Sequence, residues 1–70
     1  MSTKVLNRMR AMLVSKVENK FSLPHSDSEW AVEHSVFAKM LAVDPEYVGH
    51  YSLDYWADNT YMEYQGIPTT

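Results

Sequence analysis

Imidazoles are the first groups to test for chemistry in this chain, because they serve as metal ligands and as proton carriers near neutral pH. His25, His34 and His50 stand 9 and 16 residues apart. No two of them have the one-turn spacing that sets a pair of ligands on one helical face. Ser35 directly follows His34. Consecutive residues of a helix point in different directions, so these two do not make a nucleophile and its base. Cysteine is absent, which removes thiolate catalysis, disulfides and cysteine-ligated zinc. The two glycines form no phosphate-cradling loop. The expectation is therefore no catalytic residue, no metal site, no cofactor, and a function other than catalysis.

The chemistry that the chain does concentrate is that of recognition. Tyr47, Tyr51, Tyr55, Tyr61 and Tyr64 fall with Trp56 inside eighteen residues, interleaved with Asp54, Asp58 and Glu63 and preceded by Asp44 and Glu46. Tyrosine and tryptophan bury a large area at low entropic cost and keep a polar tip, which suits a protein interface. Surfaces that stack on bases pair their rings with lysine or arginine, whereas the companions here are acids. The expected binding residues are Glu46, Tyr47, His50, Tyr51, Asp54, Tyr55, Trp56, Asp58 and Tyr61. The expected partner is a larger protein with a basic patch. The competing reading places Tyr47, Tyr51 and Tyr55 over the protein's own core.

Charge is divided unevenly along the chain. A net charge of −3 conceals five bases and one acid in residues 1–20, against one base and eight acids in residues 21–70. Opposite signs of this kind attract within one chain or between two copies of a dimer. Lys4, Arg8 and Arg10 give the first segment a basic face that could meet phosphates or an anionic membrane surface. Its amphipathic pattern favours packing of the apolar side onto the rest of the chain. No apolar run reaches the roughly 18–20 residues of a membrane span. Ala11-Met12-Leu13-Val14 is also shorter than the roughly 7–15-residue core of a signal peptide. The expected location is cytoplasmic.

The elements that must hold these groups are helical. Seventy residues with 46% hydrophobic and 21% charged content predict one folded domain over 1–70 rather than disorder. So short a chain buries only about 60% of its unfolded surface, which makes a homodimer an expected reinforcement. Val5, Leu6, Met9, Met12, Leu13 and Val17 recur at helical period and predict a first helix over about 2–19. Ser26 and Glu29 have capping-box spacing before a second helix over about 27–43. Trp30, His34, Phe37 and Leu41 form its core stripe, and Ala31, Ser35, Ala38 and Ala42 a stripe of small residues. Asp44 and Pro45 start a third helix over about 45–57, with Val43 and Val48 spaced as a hydrophobic staple. Asp58-Asn59-Thr60 interrupts the pattern before a short helical turn over about 60–65, which Gly66 ends. The fold class read from these elements is all-α, a compact bundle of three helices plus a short C-terminal helical turn.

The stretch from Ser35 to Tyr51 resembles the core of a helix-turn-helix. Ala38 matches the small residue of that motif's first helix, and Ala42 stands where its turn usually has glycine. Val43, Val48 and Tyr51 match the buried positions that lock the second helix onto the first. The resemblance implies a helix-turn-helix-like arrangement of the second and third helices, and a DNA-binding regulator as the alternative function. The would-be recognition helix opens with Asp44-Pro45-Glu46-Tyr47, and no lysine or arginine follows Lys39. Such a face meets phosphates with acid. The leading expectation is thus a small non-enzymatic regulator or inhibitor that docks its acidic, tyrosine-rich surface onto a protein. In size and composition it is similar to phage and mobile-element proteins that disable host machinery. Mimicry of DNA by its acids is a third reading.

Overall fold

Three short polar side chains set the starts of the last three helices of this protein. The computed structural model describes residues 3–66. Among them every regular element is a helix: α1 (Thr3–Phe21), α2 (His25–Glu33), α3 (Val36–Val43), α4 (Pro45–Gly49) and α5 (Leu53–Tyr64). The all-α class is as the sequence predicts, but five helices take the place of three and a turn. Ser35 is extended, accepts a hydrogen bond from the Ala38 N–H, and donates its own hydroxyl to the Val32 carbonyl. It thereby ends α2 and starts α3 inside the stretch expected as one helix over 27–43. Ser52 accepts from the Tyr55 N–H in the same way and divides the helix expected over 45–57. Asp44 caps α4 through the Tyr47 N–H, with Pro45 at its start. A side-chain oxygen that satisfies an amide three residues ahead competes with helix continuation for the backbone.

Two other expected boundaries move. The interruption over 58–60 does not occur: Thr60 is fully buried within α5, which runs to Tyr64. Gly66 then adopts the left-handed conformation (φ 72°) that commonly follows a helix end. At α2 the Ser26–Glu29 box is not used, because Pro24 occupies the cap position without a side-chain cap bond and His25 opens the helix. His25 instead bridges Glu18 of α1 and Glu29 of its own helix.

Packing rotates the expected apolar faces. The core joins Leu13 and Val17 of α1, Val32 of α2, Phe37 and Leu41 of α3, Val48 of α4, and Trp56 with Ala57 of α5. α1 packs against both α2 and α5. Its buried side therefore reaches round to Val14, while Val5 and Met12 of the predicted stripe are left exposed. In α2 the inward residues are Ser28, Ala31 and Val32. Trp30 and His34 are not core: their rings stack on each other at 4.3 Å on the outside. The break at Ser35 changes the register, so the stripe they head does not continue into Phe37 and Leu41. Of the small-residue stripe, Ala31 and Ser35 are buried, whereas Ala42 is exposed. Val43 is 75% exposed and makes no staple with the buried Val48.

The charge asymmetry is met in part within the chain. Lys16 pairs with Asp54 at 3.1 Å, Lys20 with Asp58 at 2.8 Å, and the Phe21 ring stacks on Tyr61 at 3.9 Å. The contacts advance together along both sequences, so α1 and α5 run parallel. Lys16 holds the Asp54 carboxyl below its ordinary range, and Asp58 raises the Lys20 ammonium above its own. The Cα radius of gyration is 11.3 Å, close to the roughly 11 Å of a compact chain of this length. Among the described residues no helix is long and apolar enough to cross a membrane.

Two predictions arise here. The Thr60 hydroxyl is buried without a hydrogen-bond partner, so Thr60→Val keeps the shape and removes an unsatisfied polar group. We expect it to stabilise the fold by about 1 kcal/mol, raising Tm by about 4–8 °C in thermal melts. The His25 pKa is raised above 6.5, first by its hydrogen bond to Glu18 and then by the charges of Glu18 and Glu29. A raised histidine stabilises fully below its unfolded pKa of about 6.5 and loses that stabilisation as pH climbs through the folded value. His25→Gln is expected to flatten this alkaline-side decline in Tm, read from about pH 6 to about pH 8.5.

Candidate functional site

Three of the five tyrosines gather around one indole. Ser52 starts α5 so that Trp56 turns inward, where it is only 4% exposed. Its Nε1–H donates to the Val48 carbonyl at 3.0 Å, and its ring meets Phe37 edge-on at 5.6 Å. Tyr47, Tyr51 and Tyr55 surround the outer side of the indole edge-on, with centroids 6.3, 5.8 and 5.1 Å away. Tyr51 lies between its neighbours, 5.4 Å from Tyr47 and stacked 4.4 Å from Tyr55. Each tyrosine stays 38–40% exposed. These are large rings held in place by one another and by a buried anchor, yet facing solvent. Tyr47 is raised above the ordinary phenol value of 10, first by hydrogen bonding with Tyr51.

The surface extends onto α3, which the sequence reading missed. Val36, Met40 and Val43 recur at helical spacing on one side of α3, where Val36 and Val43 are exposed. Between α3 and the rings lies a cleft of about 300 Å³, with Val36 and Met40 on one side and Tyr47, Tyr55 and Trp56 on the other. Asn59 and Glu63 of α5 complete its lining. The Glu63 carboxylate accepts from the Val36 N–H through both oxygens, at 3.2 and 3.3 Å. The Asn59 amide donates to the Tyr55 carbonyl at 2.9 Å. The signal for this second wall is the spacing of Val36, Met40 and Val43. That spacing is already present within the helix expected over 27–43, but that this side lies beside α5 is decided by the packing.

The expected binding residues are thus divided. Tyr47, Tyr51, Tyr55 and Trp56 come together, and Glu46 and His50 are exposed one turn apart on α4 and its C-terminal cap. Asp54 and Asp58 do not join them, because they face Lys16 and Lys20 of α1. Tyr61 also faces α1, stacked on Phe21, and its hydroxyl accepts from the Gln65 amide. The basic face divides too. Lys4 and Arg8 are exposed, whereas Arg10 lies on the side of α1 toward α2 and α3 and lines a cleft with Glu33, His34 and Lys39. Residues 4 and 8 share one side of a helix, and residue 10 lies well round from both.

Among the described residues no group of three or more histidine or carboxylate side chains is placed so that it could hold a metal ion. His25 lies with Glu18 and Glu29, His34 stacks on Trp30 with its Nδ1 on the Trp30 carbonyl, and His50 is exposed elsewhere. No protein-family model, curated protein or solved structure matches the chain.

Proposed function

We propose that this chain is a small non-enzymatic binding protein, a regulator or inhibitor that docks the tyrosine surface of α4 and α5 onto a larger protein. The observation that carries this reading is the exposure of Tyr47, Tyr51 and Tyr55 around a buried Trp56, beside exposed Val36 and Val43. Rigid aromatic rings over a packed anchor are the residue types that dominate binding energy at protein interfaces. Glu46 and Glu63 add negative charge, which favours a partner with a basic patch. The reading places the protein in the cytoplasm.

The helix-turn-helix alternative rests on the tight connection of α3 to α4 through Asp44. Its reading element would be α4, five residues long and carrying Glu46 but no base. Duplex binding needs phosphate neutralisation, so this reading ranks second. DNA mimicry ranks third, since Asp54 and Asp58 are already paired with lysines. A homodimer through the same apolar strip would be self-complementary about a two-fold axis.

The test is hydrogen exchange on the complex with the captured partner. Protection over α3, α4 and α5, with the first half of α1 unaffected, is the expected footprint. A footprint around Lys4 and Arg8 of α1 instead would overturn the reading. Sedimentation of the free protein decides between monomer and dimer.

A further inference from the structure

We propose that the cleft between α3 and α5 is a receptor for one arginine side chain of the partner. This inference rests on the docking reading for the owner of the arginine, and on the cleft itself for the chemistry. The cleft offers three things that a guanidinium with its apolar stem requires. Val36 and Met40 form an aliphatic wall for the stem. Tyr47, Tyr55 and Trp56 supply aromatic rings for a planar cation, and the two tyrosines are open to solvent. Glu63 supplies a carboxylate paired with no lysine or arginine, held in place by the Val36 N–H at 3.2 and 3.3 Å. Backbone donation orients this carboxylate without cancelling its charge, and a carboxylate can accept further bonds from a guanidinium fork.

The polar inventory points the same way. The Asn59 amide nitrogen is used on the Tyr55 carbonyl, which leaves its side-chain oxygen as an acceptor. Glu63 is likewise an acceptor. Among the described residues no lysine, arginine or histidine lines the cleft. Lys39, on the same helix as Val36 and Met40, lines the separate cleft beside Arg10. Among the described residues the cleft is therefore lined by acceptors and aromatic rings without a basic side chain, which favours a cation over an anion. The flat, weakly hydrated guanidinium fits such a lining better than a strongly hydrated ammonium. A volume of about 300 Å³ lies at the lower end of small-ligand sites, the scale of one side chain rather than a cofactor.

The experiment uses the whole protein and N-acetyl-argininamide, with N-acetyl-citrullinamide as the neutral isostere. The NMR signals of the Trp56 Nε1–H and the Val36 N–H are followed during titration. The expected result is saturable shifts with the arginine compound, and affinity at least about tenfold weaker for the citrulline compound and for Glu63→Gln. Glu63→Gln keeps an acceptor for the Val36 N–H while removing the charge. Tyr55→Leu, which keeps apolar bulk and loses the ring, is a second variant with the same expected direction. The inference is overturned by equal shifts from both compounds, by no saturation with the arginine compound, or by unchanged affinity in whichever of these two variants folds. Partner binding that depends on Tyr51 while the arginine compound fails would remove the cleft's role and leave the docking surface standing. The reverse pattern would keep the cleft and remove the surface.

Discussion

Trp56→Ala is expected to remove about half of the stability of the fold. A domain of this length has a total stability of roughly 4–10 kcal/mol, and truncating a buried tryptophan costs about 3–5 kcal/mol. The indole is in contact with Phe37 on its inner side and with three tyrosines on its outer side, and its N–H ties α5 to the end of α4. Removing it opens a cavity where α3, α4 and α5 meet. Trp56→Phe separates the contributions, because it keeps a ring and loses the bond to the Val48 carbonyl. That carbonyl still accepts from the Tyr51 N–H at 3.3 Å, so the added loss is about 1 kcal/mol beyond the change in packing. Urea unfolding of the three proteins checks the order wild type, Trp56→Phe, Trp56→Ala. Equal midpoints would show that Trp56 is not the anchor.

Tyr55→Ala is expected to weaken partner binding by about 30-fold while the fold survives. A central aromatic at an interface contributes about 2 kcal/mol or more on truncation, which is this factor. The intramolecular cost stays below that of truncating Trp56, since Tyr55 is 40% exposed and its two ring contacts are worth about 0.5–1.5 kcal/mol each. Tyr51→Ala should act in the same direction. Trp30→Ala is the informative control: at 54% exposed it is an even more open ring, but its ring partners are His34 and Tyr64 rather than Tyr47, Tyr51 or Tyr55. We expect it to leave partner affinity unchanged. Titration calorimetry with the purified partner measures all four proteins, and a loss in Trp30→Ala equal to that in Tyr55→Ala would place the interface elsewhere.

Helical character was legible throughout, because apolar residues at period 3.6 need no knowledge of their neighbours. Leu13, Val17, Phe37, Leu41 and Val48 were identified as apolar-face positions and are buried. Local chemistry leaves one solution at Asp44-Pro45, where α4 starts, and at Gly66, whose left-handed backbone follows the end of α5. Elsewhere the local signal was ambiguous. Ser35 and Ser52 cap helices, while Ser26 heads an equally good capping pattern and caps none. What separates them is whether the chain must turn at that point to bury the next apolar group. Thr60 shows the converse: a residue with cap-like neighbours is carried into a helix interior because α5 packs on α2 and α1.

The candidate site divides along the same line. Composition and spacing alone establish a cysteine-free chain with helical periodicity, a basic start, and tyrosines crowded near Trp56. Those are properties of residue type and order, which no packing can alter. Which acids stay free is a different matter. Asp54 and Asp58 lie among the tyrosines in sequence but point to Lys16 and Lys20, because α1 runs parallel to α5. Glu63, Val36 and Met40 are far from Tyr47 and Tyr55 or on other helices, and only the approach of α3 to α5 makes them one cleft. Tertiary structure alone could decide this, since a helix presents its residues in several directions and only its neighbours determine which of those directions meets solvent.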